Sequence, residues 1–245
     1  MYTILVSILI GTAVGVAYTL AGLWQGWAMG IILGTLTAMG SFVLISRQLA
    51  KRMEPAMAHM QKQLQAGAHP AAMKSLEEML PMARWQILLK GQLHAQMGLI
   101  ALAMDKEDLA MEHLDQAGLR APDAQLARAA LLYRRKKADE ADIVLDTAIR
   151  ANKKQILLYH VRAYMLNREG DKEKALEVLQ KAEKVEPSSE STKDNLQRLQ
   201  NGKKLNMKRF GPQWYMLKLE KMPASMRQGH MPGMRKGFRG KSKRR

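Results

Sequence analysis

Residues Ile156 to Ser189, ILLYHVRAYMLNREGDKEKALEVLQKAEKVEPSS, carry the strongest structural signal in the chain. Apolar and small residues recur at helical spacing on both sides of Gly170-Asp171, and Pro187 follows the second run. The spacing predicts two helices joined by a short turn. Residues expected to face inward are Tyr159, Ala163 and Leu166 on the first helix, and Ala175, Leu179 and Ala182 on the second.

The same pattern occurs twice more upstream, so this unit belongs to a repeat array. Four columns of small or apolar residues share the same steps of 31 and then 34 residues, which chance rarely produces. The columns are Gly98, Ala129 and Ala163; Ala110, Ala141 and Ala175; Leu114, Leu145 and Leu179; and Ala117, Ala148 and Ala182.

The unit from Ile156 to Ser189 resembles a tetratricopeptide repeat (TPR) over its full length. The resemblance implies antiparallel helix pairs, with the small residues where two helices cross most closely. This sequence departs from the family at Arg162, where the first helix usually has Leu. The middle unit has Lys136 in place of the turn glycine and Lys153 in place of the closing proline.

The segments before and after the three repeats are also predicted to be helical. Leu49, Met53, Met57, Met60 and Leu64 form one helical face, and the segment from Pro70 to Leu80 gives a short second helix. We expect these two helices to be a degenerate fourth pair, with Glu54-Pro55 as a candidate kink. Downstream, Ser189 to Asn201 predicts a capping helix with Leu196 and Leu199 inward, ended by Gly202.

The TPR resemblance further implies a concave groove lined by the first helix of each pair. The residues expected there are Gln96, Leu99, Leu102, Leu126, Ala130, Tyr133, Val161 and Tyr164. The family's carboxylate-clamp mode is not expected, because the corresponding positions hold residues such as Gln92, Ala95, Asp123 and His160. A mainly apolar groove suits an amphipathic helix or an extended apolar segment of a protein partner.

The first 46 residues contain no Lys, Arg, Asp or Glu. They predict a transmembrane hairpin, with spans at residues 2–23 and 28–46 and indoles at the intervening turn. The cations Arg47, Lys51 and Arg52 follow at once, which predicts a multi-pass inner-membrane protein with both termini in the cytoplasm. A cleaved signal peptide fits poorly, because the apolar run lacks a leading cation and a second run follows it.

Glycines in the hairpin recur every four residues, a spacing that lets helix backbones approach closely in lipid. The residues expected to pack the membrane helices are Gly11, Gly15, Gly22, Gly26, Gly30 and Gly34. The sequence leaves open whether this row only joins the two spans or also meets a neighbouring subunit. The second case, with the tail as another contact, is the basis for expecting a homo-oligomer.

The tail, residues 202–245, holds 14 Lys and Arg against Glu220 alone, whereas the chain as a whole has a net charge of +17. Its segment 210–219 is apolar and is expected to dock on the repeats, on the membrane interface or on a partner, through Phe210, Trp214, Tyr215 and Leu217. The segment from Pro223 to Arg245 is expected to be largely disordered and to bind anionic lipid, RNA or DNA, or only to aid solubility. Its cations are Arg227, Arg235, Lys236, Arg239, Lys241, Lys243, Arg244 and Arg245.

Composition argues against catalysis. The chain has no cysteine, no phosphate-binding loop, no nucleophile elbow and no HExxH motif, so no cofactor or metal is expected. The sequence therefore predicts an all-α protein with a hairpin (1–46), a TPR-type solenoid (47–201) and a basic tail (202–245). The leading hypothesis is a non-enzymatic, membrane-anchored adaptor for a protein partner. The alternatives are a self-assembling scaffold that shapes the bilayer and a ribosome or nucleic-acid tether.

Overall fold

A computed structural model describes residues 2–21, 26–86, 88–221 and 223, and the regular structure of this part of the chain is entirely helical. Two 3₁₀ segments, Leu80–Trp85 and Met207–Phe210, interrupt the series of α-helices. The helices are α1 (Tyr2–Leu20), α2 (Gly26–Gln65), α3 (His69–Met79), α4 (Leu89–Ala103), α5 (Glu107–Asp115), α6 (Pro122–Arg134), α7 (Ala138–Ala151), α8 (Ile156–Arg168), α9 (Lys172–Val185), α10 (Glu190–Gln200) and α11 (Gly211–Met216).

The three predicted repeats are the helix pairs α4–α5, α6–α7 and α8–α9, which confirms the repeat register and the TPR-type solenoid. The alanines and leucines of the columns lie in the core, except Ala117, which is partly buried and packs against it; Ala141, Leu145, Ala175 and Leu179, for example, are fully buried. Gly98 shows why the column needs small residues. A Cβ added there would lie 2.7 Å from two carbons of Leu114 on the facing helix.

The turns between paired helices also repeat, although their sequences differ. Asp105, Lys136 and Gly170 occupy the same position and have φ values of 59°, 63° and 94°. In each turn the next residue donates its backbone N–H to a carbonyl five residues back, as in Lys137 to Leu132 at 3.0 Å. The left-handed conformation is therefore required by the turn, and only the last repeat supplies a glycine for it.

Arg162, the departure from the family pattern on α8, joins the second and third repeats. Its guanidinium donates two hydrogen bonds to the Asp142 carboxylate, at 2.7 and 3.0 Å, and one to Asp146 at 2.5 Å. Burial alone raises the pKa of Asp146, but the charges and hydrogen bonds of Arg162 and Arg150 outweigh it and hold the pKa below its usual range. A bidentate ion pair thus replaces the apolar contact that Leu usually makes.

Helix α2 crosses the expected boundary between hairpin and body. It continues from Gly26 through Pro55 to Gln65, whereas the sequence pattern places the end of the membrane span at Ser46. The second half of α2 packs on α3 and buries Met53 and Met60, and the two helices form a fourth pair against the first repeat. The second apolar helix, α2, is therefore continuous with the solenoid.

Helices α1 and α2 contact each other closely at glycine residues. A Cβ on Gly11 would lie 2.5 Å from the Gly34 carbonyl oxygen, and one on Gly15 would lie 2.8 Å from that of Gly30. The described glycines of the row thus bring the two helices of one chain together. Gly22 lies outside the described residues, and the surroundings of Gly26 are not described. By length and composition alone, both helices are apolar enough to cross a membrane.

The core extends past the capping helix α10 into the predicted tail. Leu196 and Leu199 of α10 are buried, as the sequence predicts. The chain then turns back, and its next segment joins the hydrophobic core of the second and third repeats. The buried residues of this segment are Leu205, Met207, Trp214, Tyr215 and Leu217. In the structure the folded body therefore continues beyond residue 201.

Candidate binding groove

The first helices of the three repeats, α4, α6 and α8, lie side by side and form one face of the solenoid. The segment Leu205–Leu219, here called the C-terminal strap, lies against the α8 end of this face. The Trp214 ring meets Tyr164 edge-on with centroids 4.7 Å apart, and the Phe210 ring lies 4.7 Å from His160. The chain thus covers half of its own groove.

This arrangement divides the residues expected to line the groove into two groups. Val161 and Tyr164 are buried under the strap or in the core, so they present no open surface. Tyr133 is half-buried, and its hydroxyl donates to Glu169 at 2.8 Å. Burial, and then the Glu169 carboxylate, raise the pKa of Tyr133 to about 12, so the hydroxyl stays protonated and donates. The other group lines a part of the face that stays open: Leu99 and Leu102 are half-buried, and Leu126, which is only 2% exposed, belongs to the same lining. Gln96 is half-buried on α4.

Polar contacts hold the C-terminal end of the strap. The Glu220 carboxylate accepts from Trp214 Nε1 at 3.1 Å and from the Tyr164 hydroxyl at 3.3 Å. Lys218 pairs with Asp105, at the turn of the first repeat, and its hydrogen bond and charge hold the pKa of Asp105 below its usual range. These contacts connect the end of the strap to the third repeat and to the first.

A buried histidine joins the third repeat, the cap and the strap. His160 is fully buried, with Nε2 3.1 Å from the Thr192 hydroxyl and Nδ1 3.1 Å from Asn195 Nδ2. Asn195 Oδ1 accepts the backbone N–H of Asn206 at 2.6 Å, which fixes the Asn195 amide with its NH₂ toward the ring. His160 Nδ1 therefore accepts a hydrogen bond from this NH₂ group and carries no proton, and burial lowers the pKa of His160 to about 4.

The open half of the groove is a cavity of about 590 Å³ between the first helices and the strap. Its wall is mainly apolar, with the carboxylates of Asp105 and Asp123 at the lining. The lining residues are His69, Leu99, Leu102, Ala103, Asp105, Asp123, Leu126, Ala127, Leu157, Gln213, Met216, Leu217 and Lys218. Such a wall can bind an apolar segment that carries a cation at its edge.

Some residues of this cavity were not expected from the sequence. Leu157 and Met216 contribute to it, and Met216 is 60% exposed although it is a large apolar side chain. The cavity exists only because the strap folds back beside α4 and α6, and helical periodicity contains no information about such a contact. The one available signal was the apolar character of segment 210–219.

Other expected sites have different outcomes. Arg227 and the seven cations that follow it in the tail lie outside the described residues. Within the described ranges, no three His, Asp or Glu side chains come together as metal ligands. His94 and His113 do form a pair, with their Nδ1 atoms 3.2 Å apart, and burial and then the charge of His113 lower the pKa of His94.

Comparisons with known proteins give matches to solved structures only. No protein-family model matches the sequence, and no curated protein does. Among solved structures, a crystal structure of MamA is 15% identical, with a TM-score of 0.48 over 65% of this chain and 88% of that one. A second MamA crystal structure is 15% identical (TM-score 0.45, 74% and 92%), and a MamA RS-1 ArsTM double mutant is 19% identical (TM-score 0.46, 67% and 92%). Similarity this low gives no information about the partners of this chain.

Proposed function

We propose that this protein is a non-enzymatic, membrane-anchored TPR adaptor that binds a segment of a protein partner on the cytoplasmic side. The observation that carries the proposal is the open cavity between α4, α6 and the strap. The strap indicates in the same chain what this face accepts, since a short helical turn with aromatic and apolar side chains already occupies its other half.

The chemistry of the cavity favours an amphipathic helix with a basic residue beside its apolar side. Leu99, Leu102 and Leu126 provide an apolar wall, and burial of apolar surface is the main source of affinity in grooves of this kind. Asp123 belongs to the same lining, so a cation at the edge of the ligand would meet a carboxylate. Asp105 is already paired with Lys218.

The exposed surface of the N-terminal helices supports the membrane anchor. Most of the exposed large apolar side chains in the described part of the chain lie on α1 and the first half of α2, Leu9 and Leu44 among them. Soluble surfaces rarely expose an apolar patch of this extent, whereas a bilayer buries it. Hydroxyl groups on α1 bond to the helix itself, since Ser7 donates to the Thr3 carbonyl at 2.7 Å and Thr12 donates to that of Leu9 at 3.0 Å.

Site-specific photocross-linking in native membranes tests the adaptor function. A benzoylphenylalanine at Leu102 probes the cavity, and one at Ile143, an exposed aliphatic residue on α7, is the matched control. We expect a discrete protein adduct at Leu102 that is absent at Ile143. Met216→Lys should reduce the yield of that adduct, because it places a charge on the cavity wall without disturbing a buried contact. Equal adducts at both positions, or no effect of Met216→Lys, would contradict the proposal.

A further inference from the structure

We infer that the surface around Trp85 and Leu88, at the base of the N-terminal helices, lies in the headgroup region of the bilayer and holds the solenoid against the membrane. The partner is the lipid interface itself. The inference rests on the proposed membrane anchor and goes beyond it, because an anchored body joined only through α2 would have no other contact with lipid.

The first turn of α1 is fixed to this surface. The Tyr2 ring meets the Trp85 ring edge-on with centroids 5.7 Å apart, and the Thr3 hydroxyl donates to the Trp85 carbonyl. Thr3 is 2% exposed, whereas Trp85 keeps 41% of its surface exposed and Leu88 keeps 55%. The contact therefore buries Thr3 but leaves the indole and the leucine exposed.

The register of α1 against α2 determines the depth of this surface relative to the hydrocarbon layer. Gly15 lies beside Gly30, and Gly11 lies beside Gly34 and Ala38. The same antiparallel register places the first turn of α1 level with the end of the uncharged part of α2, just before Arg47. Helix α1 is about 28 Å long at 1.5 Å per residue, close to the ~30 Å hydrocarbon thickness. Tyr2 and Trp85 thus lie at one boundary and Trp27 at the other, where aromatic belts occur.

The character of the surface matches a lipid interface better than a protein contact. Trp85 and Leu88 are exposed large apolar residues, and Pro81 and Lys90, which are close to them in the sequence, are exposed as well. On α2, Arg47, Lys51 and Arg52 are exposed at or just beyond the same level. Cations at this level strengthen the attraction to an anionic leaflet. Elsewhere on the described solenoid, the exposed large apolar residues Leu119, Ile143, Val185 and Met216 lie on separate segments.

Depth-dependent fluorescence quenching tests the inference on the full chain. The sequence contains no cysteine, so single cysteines at Leu88, Ile143 and Val16 can each carry an environment-sensitive NBD label. The proteins are reconstituted in phosphatidylcholine–phosphatidylglycerol vesicles containing lipids brominated near the headgroup or near the chain end. We expect quenching of the Leu88 label mainly by the shallow bromines, of the Val16 label by the deep ones, and of the Ile143 label by neither.

The three labels separate the failure of the inference from that of the anchor. A Leu88 label that behaves like Ile143 while Val16 is quenched overturns the interface contact and leaves the anchor intact. A Val16 label that bromines do not quench overturns the anchor and the inference together. As a second measurement, Trp85→Ser should shift the emission of the Leu88 label toward that of the Ile143 label. An unchanged emission would show that the indole does not hold the surface at the bilayer.

Discussion

At the scale of single residues, His160 is a fully buried histidine whose two ring nitrogens both have hydrogen-bond partners. Its Nδ1 faces the NH₂ group of Asn195, so protonation would place a donor against a donor in a fully buried position. The pKa of His160 is lowered to about 4, below the ~6.5 of an unfolded chain, so the unfolded state binds the extra proton first. The contribution of this group to stability is therefore complete above about pH 6.5 and is lost as the pH drops toward 4.

We expect acidification from pH 7 to 4 to remove roughly 3 kcal/mol of unfolding free energy through this one group. Denaturant unfolding at pH 7, 6, 5 and 4, beside the His160→Gln variant, measures the effect. The variant should lose most of the slope in this window, and the remainder should come from groups such as His94, whose pKa is also lowered. Identical slopes in both proteins would show that His160 does not titrate as its environment implies.

Lys136 provides a second prediction at this scale. Its φ of 63° is a conformation that costs an L-residue with a side chain about 1 kcal/mol, and Gly170 occupies the equivalent turn without that cost. Lys136→Gly should raise the melting temperature by about 2–4 °C. The neighbouring Lys137 has an ordinary φ of −105°, so Lys137→Gly is the matched control and should give no increase. A gain in both, or in neither, would contradict the account.

At the scale of elements, the glycines of α1 and α2 differ in what surrounds them. A Cβ on Gly34 would lie 2.8 Å from the Gly11 carbonyl oxygen, a backbone atom that cannot move without separating the helices. A Cβ on Gly40, on the same helix, would meet nothing within 4 Å. We expect Gly34→Val to widen the distance between spin labels at Val16 and Ile31, and Gly40→Val to leave it unchanged. Equal distances in both variants would show that close glycine packing does not hold the hairpin.

The repeat pairs were predictable from sequence because their information is local. The columns that contain Ala141 and Ala175 follow helical spacing, and each crossing joins residues within one unit. The left-handed turn at Lys136 was not evident, since backbone hydrogen bonds impose it on a residue that does not favour it. The Arg162 ion pair was visible only as a departure from the family pattern, because its partners lie on the preceding repeat.

The groove was predictable only in outline, because it depends on contacts between distant parts of the chain. The sequence left three docking places for segment 210–219, and the structure places it on α8, where Trp214 packs against Tyr164, far upstream in the sequence. That contact buries residues expected to be open and creates the cavity beside Met216. Choosing among the three places required shape complementarity, which residue spacing does not encode.

At the scale of the whole molecule, the strap acts as part of the folded body. Trp214 is fully buried and its indole N–H is bonded to Glu220, whereas Met216, two residues on, is mostly exposed. Trp214→Ala should cost about 3–5 kcal/mol and lower the melting temperature by roughly 10 °C. Met216→Ala is the matched control, with an expected cost below about 0.5 kcal/mol. Circular dichroism of the detergent-solubilised chain measures both, and equal melting temperatures would show that the strap adds no stability.

The proposed membrane anchor predicts an orientation of the whole molecule from the two ends of the hairpin. The end that joins the solenoid carries the exposed cations Arg47, Lys51 and Arg52, and the bond between Thr3 and Trp85 keeps the start of α1 at the same end. The opposite end, near Gly26, has no charged residue, and cations are retained on the cytoplasmic side. In intact bacterial cells, a membrane-impermeant thiol reagent should therefore label Gly26→Cys from outside. Ser188→Cys lies on the exposed end of the last repeat and should stay unlabelled until the cells are lysed. Labelling of Ser188→Cys in intact cells, with Gly26→Cys protected, would reverse the assigned topology and place the binding groove outside the cytoplasm.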